Sequence, residues 1–266
     1  MRRALLLLLL AVLLPWTSAD AQRGGFGRMR EMLGDENEYY RHPDFRGNVK
    51  YDGRFVFARI KYRGFGGFTN QGPGWSHDYP RAEANLMRIM REISSLRPFI
   101  ESPEAIGGNV FALDDPELTR YPVAYFSEPG HWTPTDAEVA GFRNYLSKGG
   151  FVIFDDFQGP RQWMNFVQQM KRVLPNARIV PLEPSHPIFD SFFKINLALI
   201  PGAYGQPAVY YGIYQDNDPG RRLMAIVNFE NDVGEMWEWS TDGFSPVPSN
   251  EAYKLGVNYL IYALTH

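Results

Sequence analysis

The chain has 266 residues, 44% of them hydrophobic and 21% charged, with a net charge of −3. That composition suits a globular fold and gives no electrostatic ground for a nucleic-acid partner or an anionic membrane surface. Cysteine is absent, which excludes a disulfide, a thiol nucleophile, thiolate metal ligands and lipid attachment at a mature N-terminal cysteine.

The first 21 residues read as a signal peptide. Arg2 and Arg3 are followed by an apolar stretch from Ala4 to Leu14, and Ala19-Asp20-Ala21 forms an A-x-A cleavage site before Gln22. The apolar stretch is too short for a bilayer, which takes about 20 residues. The mature protein is therefore expected to be exported, periplasmic or extracellular, without a membrane span. Residues 22–53 form a Gly-, Arg- and acid-rich arm with few aliphatics, expected to be flexible or loosely wrapped, with Tyr39, Tyr40 and Phe45 as its docking points.

A single α/β domain is expected over 54–266. Phe55 to Tyr62 reads as its first strand, followed by a glycine-rich loop (Gly64, Gly66, Gly67, Gly72, Gly74) and Trp75-Ser76-His77-Asp78-Tyr79-Pro80. Ala82, Leu86, Ile89, Met90, Ile93 and Leu96 recur at helical spacing, with Asp78 as the expected N-cap. A short extended piece over Val110–Leu113 precedes a strand at Val123–Ser127. Thr135 and Glu138 have the spacing of a capping box, and Gly149 stands where a helix-ending glycine belongs. Phe151-Val152-Ile153-Phe154 is apolar throughout, as a strand covered on both faces should be.

A helix over about 160–174 and a strand at Arg178–Leu182 follow. Val209–Tyr214 and Leu223–Phe229 read as an antiparallel hairpin at a sheet edge, and 250–264 as a closing helix. Alternation of strands and helices calls for crossover connections and a mostly parallel, open sheet flanked by helices.

Trp75 to Pro80, Glu128-Pro129-Gly130-His131, Gly149 to Phe157 and Tyr262 to His266 together resemble a bacterial family, the domain of unknown function 4159, over nearly all of 54–266. The resemblance implies a flavodoxin-like fold of the class I glutamine amidotransferase type. Amidotransferases use a Cys on a sharp strand-to-helix turn, so the absence of cysteine rules out that chemistry here. Related sugar-processing accessory domains of this fold are non-catalytic.

In open α/β sheets, ligands bind beyond the carboxyl ends of the strands. Strand 123–127 runs into Glu128 and His131, and strand 151–154 into Asp155 and Asp156. These four are the candidates for catalysis and for a hard divalent metal such as Mg, Mn, Ca or Zn. The structural alternative is that the acids cap helices and anchor loops. His77, Asp78, Asn228, Asn231 and Asp232 are candidate ligand-binding residues near the same edge. For Asn228, Asn231 and Asp232 the alternative is a tight turn. Trp237 and Trp239, spaced by two, are expected on one face of an extended segment, as a packing ridge or a glycan-stacking surface.

No G-x-S-x-G and no phosphate-binding glycine motif occurs, so neither a serine nucleophile nor a nucleotide cofactor is expected. Two functions fit: an exported, non-catalytic binding or assembly module with a cell-envelope protein or glycan partner, or an exported hydrolase, metal-assisted or not, using these carboxylates and histidines.

Overall fold

The computed structural model describes Phe45 and residues 47–266, apart from 65–67, 70–71, 103–104 and 107. The contacts separate Met1–Tyr39 from Tyr40–His266, and every described residue belongs to the second unit. The signal peptide, and the arm as far as Asp44, Tyr39 and Tyr40 included, together with Arg46, lie outside the described residues.

Seven strands form one sheet: β1 (Phe57–Ile60), β2 (Gly108–Phe111), β3 (Val123–Ser127), β4 (Phe151–Phe157), β5 (Ile179–Pro181), β6 (Val209–Tyr214) and β7 (Leu223–Phe229), in the order β2-β1-β3-β4-β7-β6-β5. The first five in that order run parallel, and β6 is antiparallel to both its neighbours. Five helices cover it: α1 (Arg81–Ile93), α2 (Asp136–Ser147), α3 (Gly159–Val173), α4 (Val233–Glu238) and α5 (Pro246–Thr265).

Strict alternation along the strands divides the core into two layers. Ala58, Ile60, Phe126, Val152, Phe154 and Val227 point to one face, where they meet Phe142 and Leu146 of α2 and Phe166 and Met170 of α3. Phe57, Val123, Tyr125, Ile153 and Ile226 point to the other, against Leu86 and Met90 of α1, Trp237 of α4 and Leu255 and Tyr259 of α5. All seven residues of β4 are buried, and its first four, Phe151–Phe154, are apolar on both faces.

The expected local signals hold in two places. Thr135 and Glu138 form the reciprocal capping box of α2, and Gly149 takes a φ of 105° just past its end. Elsewhere the structure corrects the reading. The β6–β7 hairpin is antiparallel and forms the antiparallel edge region of the sheet as expected, but β5 pairs with the outer side of β6 and is the outermost strand there. Trp237 and Trp239 do not share an extended segment. Asp232 accepts the Glu235 amide and starts α4 there, so Trp237 is buried with its Nε1 donating to Ala252 O at 2.9 Å, and Trp239 stacks on Arg81.

Asp78 is not an N-cap of α1: no side chain caps that helix, and Asp78 has a left-handed φ of 63°. The end of the arm is tied down rather than loose. Asn48 exchanges side-chain bonds with the Val110 backbone, and Val49 pairs through its backbone with the Asn109 side chain, covering the β2 edge.

Candidate functional site

The order β2-β1-β3 means that the chain leaves β1 towards one side of the sheet and returns at β3 on the other. The carboxyl ends of β1, β3 and β4 then lie side by side at this reversal, where open sheets leave a crevice. An acid with left-handed backbone belongs to each: Asp78 (φ 63°) in the loop after β1, Glu128 (φ 48°) directly after β3 and Asp156 (φ 60°) inside β4 near its end. That conformation is uncommon outside glycine and concentrates at functional sites.

A β-bulge sets the last of these. Val227 pairs with Phe154 and Phe229 with Phe157, so β4 carries one residue more than β7 across this interval. Phe154 and Phe157 both face α3, Asp155 faces α5, and Asp156 is the inserted residue, re-aimed out of the pleat. The reading of Asp155 and Asp156 as a polar tail after the strand is thereby corrected, since both lie inside β4 and are buried.

The two acids have opposite surroundings. Asp155 accepts four hydrogen bonds: from Tyr125 OH (2.6 Å) and the amides of Val233 (2.8 Å) and Gly234 (2.9 Å) on Oδ2, and from Asn228 Nδ2 (2.9 Å) on Oδ1. Asn228 Oδ1 in turn accepts from Tyr259 OH. Burial pushes Asp155 up to about 6, with the Tyr125, Gly234 and Asn228 bonds working the other way. It is an anchor binding β3, β4, β7 and the first turn of α4 together.

Asp156 Oδ2 instead meets His77 Nδ1 at 2.6 Å. His77 is 19% exposed at its side chain, and Asp78 Oδ1 lies 3.8 Å from the same nitrogen. The bond to Asp156 pushes His77 up to about 10 against the effect of burial, with the Asp78, Asp156 and Glu128 charges adding to it. The carboxylates around the ring thus favour its protonated form when no other cation is present.

Asp78 is 3% exposed and neither carboxylate oxygen has a hydrogen-bond partner. Burial holds it well above the usual carboxylate range. Glu128 has one oxygen, Oε2, in the same condition. Burial and the charge of Asp156 push Glu128 up to about 7, with His77 opposing. Gly74 and Gly234 make the room for these groups, since a Cβ at 74 would collide with Glu128 Oε2 and one at 234 with Asp78 Oδ2. Asp232 is held well above its ordinary value by burial and by Asp156, Asp78 and Asp155. A cavity of about 290 Å³ opens beside His77, Asp232 and Glu235, walled by Gly202, Met236 and Phe244.

Of the expected site residues, His77, Asp78, Glu128, Asp156 and Asp232 converge here. One ligand atom each from His77, Asp78, Asp232 and Glu235, or from His77, Glu128 and Asp156, all lie within 4.8 Å of one another. The others do not join them. Asn228 and Asn231 are spent on Asp155, Tyr259, Tyr210 and the Asp232 amide. His131 turns to α3, where its Nε2 lies 3.1 Å from Gln162 Nε2.

Two participants were missed by sequence reasoning. Glu235 lines the cavity, and Arg59 supports the loop that carries His77. Buried on β1, Arg59 pairs with Glu83 of α1 and donates from Nη1 to Trp75 O (3.0 Å) and His77 O (2.7 Å). A cation in the middle of the buried run Phe57-Ala58-Arg59-Ile60 was the available signal, because a strand with both faces covered excludes an unpaired charge.

A family model, domain of unknown function (DUF4159), matches residues 56–264. The chain belongs to this family. No curated protein matches it. The DUF4159 match spans every strand and all of the converging residues, so the crevice is part of the family's domain and not of an appended segment. Among the described residues, no helix is long and apolar enough to cross a membrane.

Proposed function

We propose that this chain is an exported ligand-binding module built on a flavodoxin-like, class I glutamine amidotransferase-like scaffold, with the His77–Asp78–Glu128–Asp156 crevice as its ligand site. The strand order supports the scaffold, and the turn at Glu128 puts a carboxylate on a sharp exit from β3. The observation that carries the reading is the Asp78 carboxylate, buried without a hydrogen-bond partner among other acids. Leaving such a group unmatched costs stability, so its retention points to a ligand that brings positive charge or several donors. Export rests on the charged start, short apolar stretch and A-x-A site at Ala19–Ala21.

The test is a thermal-shift screen of the purified mature protein against diamines, amino sugars and divalent salts. At least one class should raise the Tm of the wild type and leave Asp78→Asn unmoved. No shift from any class would end the reading.

One observation favours a hydrolase as the second reading. Glu128, pushed up to about 7, stands beside the His77–Asp156 pair, which sets a proton donor and an acceptor together near neutral pH. Turnover of ester, phosphoester or glycoside probes that disappears in Glu128→Gln would replace the binding module with this enzyme.

A further inference from the structure

Among the described residues, the crevice gathers Asp78, Glu128, Asp156, Asp232 and Glu235 around His77, and their arrangement says what kind of ligand would complete it. Asp78, Asp232 and Glu235 come from two short segments, the loop after β1 and the first turn of α4, with His77 beside Asp78 in the chain. One donor atom from each lies within 4.8 Å of the other three, the span expected of ligands around one ion. A crowd of acids is common on protein surfaces without any ion, so the decisive feature is a different one. Asp78 is 3% exposed, and both its oxygens are unsatisfied while facing the other three donors.

The remaining members are arranged to support such a role. Asp232 commits Oδ1 to the Glu235 amide at 2.8 Å, which fixes its carboxylate at the start of α4. His77 is held through Nδ1 by Asp156 Oδ2, the carboxylate-to-imidazole arrangement that orients histidine ligands. Gly234 leaves space for Asp78 where any side chain would strike it. His77, Asp232 and Glu235 line a cavity of about 290 Å³, which gives an ion a way in and room for water to fill its remaining positions.

From this geometry we infer that His77, Asp78, Asp232 and Glu235 bind one divalent cation, with Asp156 as the residue that positions His77. Three carboxylate oxygens and one imidazole nitrogen suit Mn, Zn or Mg. This rests on the crevice being the ligand site and names its ligand.

The experiment uses the purified protein freed of metal by chelator and titrated with MnCl₂, followed by calorimetry and by the electron paramagnetic resonance of free Mn. One ion per chain should bind. Glu235→Gln, at a half-buried position lining the cavity, should weaken binding at least tenfold, and Asp78→Asn should remove it, with circular dichroism confirming that both variants are folded. Asp156→Asn should weaken binding less than Asp78→Asn does. If Mn does not bind, or binds both Glu235→Gln and Asp78→Asn as it does the wild type, the inference is overturned. Should diamines or amino sugars still stabilise the wild type through Asp78 in that event, the crevice remains the ligand site and only the metal is wrong.

Discussion

Asp155 and Asp156 are adjacent, equally buried and chemically identical, yet they belong to two regions with opposite logic. Around Asp155, with Tyr125, Asn228, Tyr259 and the first amides of α4, every named donor has its acceptor. Around Asp156, with His77, Asp78 and Glu128, both Asp78 oxygens and Glu128 Oε2 are buried without a hydrogen-bond partner, and three residues hold left-handed backbone. The first region is what a buried acid needs in order to stabilise a fold. The second holds carboxylates whose ionisation burial and mutual repulsion disfavour, a strain that a proton or a bound cation would relieve. One inserted residue in β4 separates them.

The difference is open to attack by substitution. The largest effect should come from Asp155→Ala. It orphans four donors in the dry core, at about 1–3 kcal/mol each, so a loss of about 4–5 kcal/mol in chemical denaturation is expected. Phe154→Ala, one residue earlier on the opposite face, should cost about 3–4 kcal/mol through the cavity left among Phe126, Phe142 and Phe166. A loss below about 1 kcal/mol would mean that β4 is not central. Gly234→Ala sits on the border, where a Cβ meets both Asp78 Oδ2 and Tyr125 OH. It should cost about 1–3 kcal/mol and should also block the crevice to any ligand that stabilises the wild type.

A separate signature is the pH dependence. His77 is raised from 6.5 to about 10, so its contribution to stability is complete below about pH 6.5 and is lost as pH climbs through 10. Glu128 and Asp155 are also raised, to about 7 and about 6, so their charging in the folded state becomes a penalty as pH rises from about 4 towards 7. Stability should therefore be greatest on the acid side of neutrality. Glu128→Gln should flatten the limb between about pH 4.5 and 7, and His77→Gln the limb between about pH 6.5 and 10, as read from Tm across a buffer series.

Much of the scaffold was legible because it rests on local rules. The Thr135–Glu138 box, the glycine at 149 and the apolar run from Phe151 are short-range patterns with one physical meaning each. The site was legible only as a neighbourhood. Glu128, Asp155 and Asp156 stood at the ends of two apolar runs, which located the edge correctly. Their division of labour was hidden, because a bulge depends on pairing with a strand some 70 residues later. His131 was favoured over His77 through its closeness to Glu128 in the chain, yet the turn at Pro129–His131 carries it onto α3 while the loop after β1 brings His77 to Asp156. Glu235 gave no signal, since its role depends on where α4 begins.

The most direct test of the account sets Asp78→Asn against Asp155→Asn, comparing thermal unfolding at pH 7 in chelator-treated buffer. Asp78→Asn replaces an unpartnered buried carboxyl, whose ionisation burial disfavours, with a neutral group of the same size, so it should unfold at the same temperature as the wild type or a few degrees higher. Asp155→Asn breaks a satisfied network and should unfold many degrees lower. A Tm for Asp78→Asn that falls as far as that of Asp155→Asn would contradict the account, because Asp78 would then be a structural anchor and the crevice would have no group waiting for a ligand.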